Sequence, residues 1–310
     1  MEAPAQLLVR VDASDTVFHS QGMERERLRG SAILALLLFL LAGCGGSAAP
    51  DLCADRRGVA GVFSVEIPSG GLLREFSLVV PESALAGQPV PLVVGYHGAN
   101  ATPEAYLAVT ELPDAAQRRG WIVAAGLGVG LSWNGGVCCG EAAAEGIDDV
   151  QFTRDMIARV AAEYCIDEQR ILVNGFSAGG VMAAHLACEA PDIAATTAVV
   201  GAWNVACALP EDTSLWIANM IDDPLVPYAA LGSQLFPQFL AANQCNAARV
   251  PVELAANADC EAATTCVGAA PIQNCAVRGV GHHWPGGLTQ PAGPFKATPA
   301  MLDFFLEQQG

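Results

Sequence analysis

Six stretches of the chain read as β-strands from their apolar content: 72–80, 91–96, 121–125, 170–174, 215–219 and 274–280. Several are apolar at consecutive positions, so both faces of the strand require cover. Parallel strands buried between helices have this character, whereas a one-sided antiparallel sheet alternates apolar and polar residues. Between strands the period becomes helical. Val150, Ile157, Val160, Ala161 and Tyr164 fall on one face of a helix over 149–164, and Pro299, in a first turn, opens a C-terminal helix. The alternation predicts an α/β domain with a mostly parallel central sheet covered by helices on both faces. No repeat, low-complexity block or linker divides residues 51–310, which are expected to form a single domain.

The N-terminal pattern differs. Arg25, Arg27 and Arg29 precede an apolar run from Ala32 to Ala42 that ends in Leu41-Ala42-Gly43-Cys44. Eleven residues in helix reach roughly 16 Å, about half of a bilayer core, so the run reads as a secretion signal rather than a spanning helix. Its ending resembles a bacterial lipoprotein cleavage box, which makes Cys44 the lipid-carrying first residue of the mature chain. Residues 1–43 are then a signal segment, over-long if Met23 is the true start. Residues 44–50, rich in Gly, Ser and Ala, are a flexible tether. The expected location is extracytoplasmic, on an outer membrane or cell surface.

Composition narrows the function. With 15 Lys+Arg against 32 Asp+Glu, the net charge of −17 repels polyphosphate and excludes a nucleic-acid partner. A chain 52% apolar is not disordered. Eleven cysteines without a C-x-x-C pair favour disulfides in an oxidising compartment over a metal site. Gly126-Leu127-Gly128-Val129-Gly130 follows a strand but opens no helix, so no dinucleotide cofactor is expected. No protein partner is implied.

The chemistry concentrates in Gly175-Phe176-Ser177-Ala178-Gly179-Gly180, a G-x-S-x-G motif between an apolar strand and a helix of small residues. A serine on such a tight turn exposes its hydroxyl above the sheet, and the helix N-terminus favours developing negative charge. Ser177 is therefore the candidate nucleophile. His185, eight residues along the same helix and about 12 Å away by helical rise, is too far to serve as base. His97 ends a strand at the loop that supplies an oxyanion donor. His282 and His283 follow the last strand, and one of them is the expected base. Asp222 and Asp223 follow the 215–219 strand and lie between serine and histidine in chain order, as the third member requires. Asp212 and Asp259 read as surface acids. Trp133 and Trp284 are candidates for lining a substrate pocket.

These motifs together resemble the polyhydroxybutyrate depolymerase and feruloyl esterase family of secreted α/β hydrolases. The resemblance rests on His97-Gly98, Trp133-Asn134-Gly135-Gly136-Val137-Cys138-Cys139, Asp148-Asp149-Val150, Gly175 to Gly180, Leu186-Ala187-Cys188-Glu189, Asp223-Pro224-Leu225-Val226-Pro227-Tyr228 and Gly281-His282-His283-Trp284-Pro285-Gly286. It implies an α/β-hydrolase fold and a serine esterase with Ser177, Asp223 and His282 as triad. Ala178 and Ala99 would donate the oxyanion N–H groups, and Cys245 would pair with Cys266. Where the family commonly has Cys, this chain has Ala99. No polymer-binding module is evident, so short soluble, hydroxyalkanoate or aromatic esters are the expected substrates. The rivals are a peptidase or lipase on the same triad, or an inactive binding lipoprotein. Cys138 and Cys139 are expected to bond to different partners, Cys188 among them.

Overall fold

The computed structural model describes residues 53–308, apart from 57, 204, 206–212, 264, 268–269 and 291–292. The signal segment, Cys44 and the tether lie outside the described residues. Those described belong to one compact unit, Ala49–Gly310.

Ten described strands form one sheet in the order β1-β2-β4-β3-β5-β6-β7-β10-β9-β8. They are β1 (Gly61–Ser69), β2 (Leu72–Val80), β3 (Val90–Tyr96), β4 (Ile122–Gly126), β5 (Ile166–Phe176), β6 (Thr196–Val200), β7 (Ser214–Met220), β8 (Val250–Val252), β9 (Ala258–Ala263) and β10 (Ile272–Val277). The middle of the sheet, from β4 through β10, is parallel; antiparallel strands extend both ends. Strands β4, β6, β7 and β10 are buried at every position, as strands covered by helices on both faces are, and they carry the polar Thr196, Thr197, Asn219, Gln273 and Asn274 inside with them.

The helices are α1 (Pro103–Thr110), α2 (Leu112–Gln117), α3 (Gly140–Glu145), α4 (Asp149–Glu163), α5 (Ala178–Glu189), α6 (Leu235–Ala242) and α7 (Ala297–Glu307). One face of the sheet packs Leu172, Trp216 and Met220 against α1, α2 and α7 through Leu107, Leu112 and Phe305. The other face packs Phe76, Val94 and Val173 against α4 and α5 through Phe152, Met156 and Leu186. Asp148 caps α4 by accepting Gln151 N–H at 2.8 Å. The buried face of α4 is Phe152, Thr153, Met156, Ile157 and Val160. Val150 and Ala161, expected there, are only partly buried, because the helix turns Phe152 and Met156 toward the sheet.

Two features correct the cysteine reading. Cys138 and Cys139 bond to each other, and Cys188 is disulfide-bonded to neither of them. Cys245 pairs with Cys266, as the resemblance implies. Cys53–Cys165 closes a separation of 112 residues, and Cys260–Cys275 staples β9 to β10 at directly paired positions. Among the described residues no helix is long and apolar enough to cross a membrane.

Candidate active site

The turn from β5 into α5 lifts Ser177 out of the sheet with φ 54° and ψ −121°. That turn needs its glycines. A Cβ on Gly175 would lie 2.0 Å from Gly179 O, and one on Gly179 would lie 2.1 Å from Tyr96 O and 2.5 Å from His97 O. Helix α5 can therefore start directly against the end of β3. The first N–H groups of α5, beginning at Ala178, have no intrahelical acceptor and sit beside the serine.

β7 and β10 are parallel neighbours, with Met220 opposite Val277, so the loops that follow them emerge side by side. The first carries Asp222 and Asp223, the second His282 and His283. His282 Nε2 lies 3.0 Å from Ser177 Oγ, and His282 Nδ1 lies 2.6 Å from Asp223 Oδ2. The other oxygen of Asp223 accepts Leu225 N–H and Val226 N–H, both at 2.8 Å, which fixes the carboxylate plane. The Asp223 side chain is 1% exposed and that of His282 14%. His283, one residue on, is exposed at the mouth of the cleft.

Ser177 and His282 open onto a cleft of about 420 Å³. Its walls are chiefly apolar: Ala99, Ala101, Tyr106, Val109, Phe176, Leu225 and Trp284, with Asn100, His283 and Thr289 contributing polar groups. Trp284 is held by donating its indole N–H to Thr298 Oγ1 at 2.9 Å, and it meets Tyr106 and Phe176 edge-on. Tyr106 donates its hydroxyl to Asn174 Oδ1, while Asn174 Nδ2 donates to Val94 O at 2.8 Å. Burial pushes the Tyr106 phenol well above its ordinary range, so the ring is a neutral wall. Asn174, unremarkable in the sequence, thus ties β5, β3 and α1 together behind the cleft. The only hint of it is a polar residue inside an apolar strand.

Trp133, expected to line the pocket, does not. It is fully buried, donates its indole N–H to His97 O at 2.9 Å, meets Tyr96 edge-on and stacks on Phe152. Its place in the loop before α3 puts it behind the strand end that leads to Ala99. His97 braces the same turn: it donates Nδ1–H to Gly98 O at 2.8 Å and accepts Gly128 N–H on Nε2 at 3.1 Å. Burial pushes its pKa down, which keeps the ring neutral as these two bonds require. Below this, Arg74 and Asp149 form a buried ion pair at 2.7 Å, and Asp149 also accepts Asn134 N–H at 2.8 Å. Burial raises the Asp149 carboxyl; the Asn134 N–H and the Arg74 guanidinium oppose that rise.

The sheet order, the serine elbow and the loops after β7 and β10 define the α/β-hydrolase fold. No family model matches the chain. Feruloyl esterase B of Piromyces equi is 33% identical over 129 residues, which are 40% of this chain and 23% of that protein, so the chain spans about a quarter of its length. Feruloyl esterase D of Neurospora crassa is 25% identical over 239 residues, 73% of this chain and 79% of that one. Among solved structures, an acetyl xylan esterase from Aspergillus awamori shares the fold with a TM-score of 0.59 at 17% identity, over 79% of this chain and 99% of the other. A feruloyl esterase module from Clostridium thermocellum, in complex with sinapinate, shares it with a TM-score of 0.52 at 12% identity, over 76% and 87%. The chain shares the fold of these esterases. Within that class its sequence relatives are feruloyl esterases.

Proposed function

We propose that the protein is an extracytoplasmic carboxylic ester hydrolase that works through an acyl-enzyme on Ser177. The observation that carries this reading is the continuous path Ser177 Oγ, His282, Asp223, with contacts of 3.0 and 2.6 Å. His282 Nε2 takes the Ser177 proton as Oγ bonds to the ester carbonyl carbon. The backbone N–H groups of Ala178 and Ala99 hold the oxyanion. The imidazolium returns its proton to the leaving alcohol, and the C–O ester bond breaks. Water then attacks the acyl carbon with His282 again as base, the bond from that carbon to Ser177 Oγ breaks, the imidazolium returns the proton to Oγ, and the carboxylic acid leaves. Asp223 stays ionised, holds the Nδ1–H tautomer and stabilises the imidazolium.

An apolar cleft with neutral walls suits short aliphatic or aromatic acyl groups, and Trp284 and Tyr106 form its aromatic wall. Residues 51–310 are the catalytic domain. Cys44 carries lipid and tethers it to a membrane facing an oxidising compartment, which agrees with the disulfides.

The test is fluorophosphonate labelling of Ser177 followed by a p-nitrophenyl ester series. Labelling with fastest turnover of acetate or butyrate supports the reading. No labelling makes the protein a binding module, and palmitate as best substrate makes it a lipase. Separately, Cys44→Ser should move the protein out of the membrane fraction; unchanged fractionation without lipid mass refutes the anchor.

A further inference from the structure

Two adjacent carboxylates leave the turn after β7 and go to different places. Asp223 reaches the His282 ring. Asp222 reaches the backbone of the loop that carries that ring. Asp222 Oδ1 accepts Gly279 N–H at 3.0 Å and, more weakly, Val280 N–H at 3.4 Å, while Oδ2 accepts Gly281 N–H at 3.0 Å. Gly279 and Gly281 have φ of 74° and 60°, in the left-handed region where glycine is at ease. This lets three successive N–H groups converge on one acid, in the manner of a backbone nest. The strand end before Gly279 has supports of its own. Ile221 N–H donates to Val277 O at 2.8 Å, and Asn257 exchanges two hydrogen bonds with the Arg278 backbone at 2.9 and 3.1 Å. The N–H groups beyond it turn to Asp222.

We infer that Asp222 is a positioning residue for the proposed base. Its carboxylate sets the backbone of Gly279 to Gly281 so that the imidazole one residue further on reaches Ser177 and Asp223 together. The inference rests on the ester-hydrolase reading. The His282 ring has to satisfy partners on opposite nitrogens, at 3.0 and 2.6 Å, so a small rotation of the preceding peptide breaks one contact in making the other. A displacement of 1 Å is enough to slow a reaction about 10²-fold. Ionised carboxylate is the right acceptor here, because both its oxygens accept. An amide offers one accepting oxygen and turns its own N–H groups toward the loop.

The experiment uses the full chain with Asp222→Ala and Asp222→Asn, beside Asp223→Asn. Three quantities are read: kcat and KM for p-nitrophenyl acetate, the rate of fluorophosphonate labelling, and the downfield proton resonance of His282 Nδ1–H. Asp222→Ala should lower kcat about 10²-fold with KM within about twofold, slow labelling in proportion, and broaden or remove the resonance. Asp222→Asn should lose less in the same direction, since one oxygen still accepts; it also serves if the alanine variant does not fold. A kcat within about twofold of the parent in both variants, with the resonance in place, overturns the inference. So does a loss matched by loss of cooperative thermal unfolding, which makes Asp222 merely structural. If the parent neither hydrolyses nor labels, the ester-hydrolase reading fails instead. The resonance then still tests whether Asp222 holds the ring.

Discussion

Ser177 occupies a backbone conformation, φ 54° and ψ −121°, that L residues adopt rarely and at a cost of about 1–3 kcal/mol. The cost is local and survives removal of the hydroxyl, so Ser177→Ala should fold as the parent does and lower kcat/KM by about 10⁴-fold or more. His282→Ala should match that loss, and His283→Ala should retain most activity, because both ring contacts belong to His282 and His283 points to solvent at the cleft mouth. A p-nitrophenyl acetate assay of the three variants checks this, and a reversed order of the histidines would transfer the proposed role of base to His283. At this scale the sequence is uneven. G-x-S-x-G points to Ser177 because the backbone constraint is written in its glycines. Asp222 and Asp223 cannot be told apart by composition, since identical adjacent side chains take their roles from a loop 57 residues further on. Trp133 misleads for the opposite reason: its motif lies close to the site in space, but the indole is turned inward to His97 O.

Strands β2, β3, β4, β5 and β7 are legible because burial on both faces, or on most of their length, leaves a largely apolar run; β10 is legible only in part, since the buried Gln273 and Asn274 interrupt it and the strand ends at Val277, three residues before the expected end. β1 is not, since it alternates half-buried and exposed residues at the sheet edge, and Val62 faces solvent. β6, Thr196–Val200, is short and opens with two threonines, and β8 and β9 lie in a cysteine-rich segment with little apolar pattern. The β5–α5 junction shows what an element boundary demands of its residues. A methyl on Gly179 would meet two backbone carbonyl oxygens, at 2.1 and 2.5 Å, and backbone cannot step aside as a flexible side chain does. Gly179→Ala should therefore destabilise the fold by about 1–3 kcal/mol, seen as a lower urea midpoint. It should also reduce turnover, because moving α5 away from β3 shifts Ser177 relative to the Ala99 loop. An unchanged midpoint would mean that the helix start is looser than the packing requires.

Over the whole molecule, the disulfides, the buried His97 and the half-buried His185 set how the fold responds to its surroundings, and spacing alone revealed none of them. Only Cys245–Cys266 came with the resemblance, whereas Cys53–Cys165 depends on where the chain returns after 112 residues. The histidines carry a pH signature. Burial lowers the pKa of both His97 and His185 from the ordinary value of 6.5. Below about pH 6.5 the unfolded chain binds protons at these two rings while the folded chain still excludes them, so unfolding takes up protons and stability falls as pH falls. Asp149, raised by burial, acts in the opposite sense: between its ordinary value of 3.8 and its raised folded value, the folded form holds a proton that the unfolded form has released, so its contribution grows as pH falls through that span and the ion pair with Arg74 is intact above it. Its ordinary value lies well below that of histidine, and between about pH 7.5 and about pH 5.5 the two rings should dominate. The thermal midpoint followed by circular dichroism should drop across that span, and His185→Gln, which leaves the His97 brace intact, should flatten the slope. A midpoint that stays level or rises toward pH 5.5, with no change of slope on His185→Gln, would overturn the expectation that the neutral rings set the response.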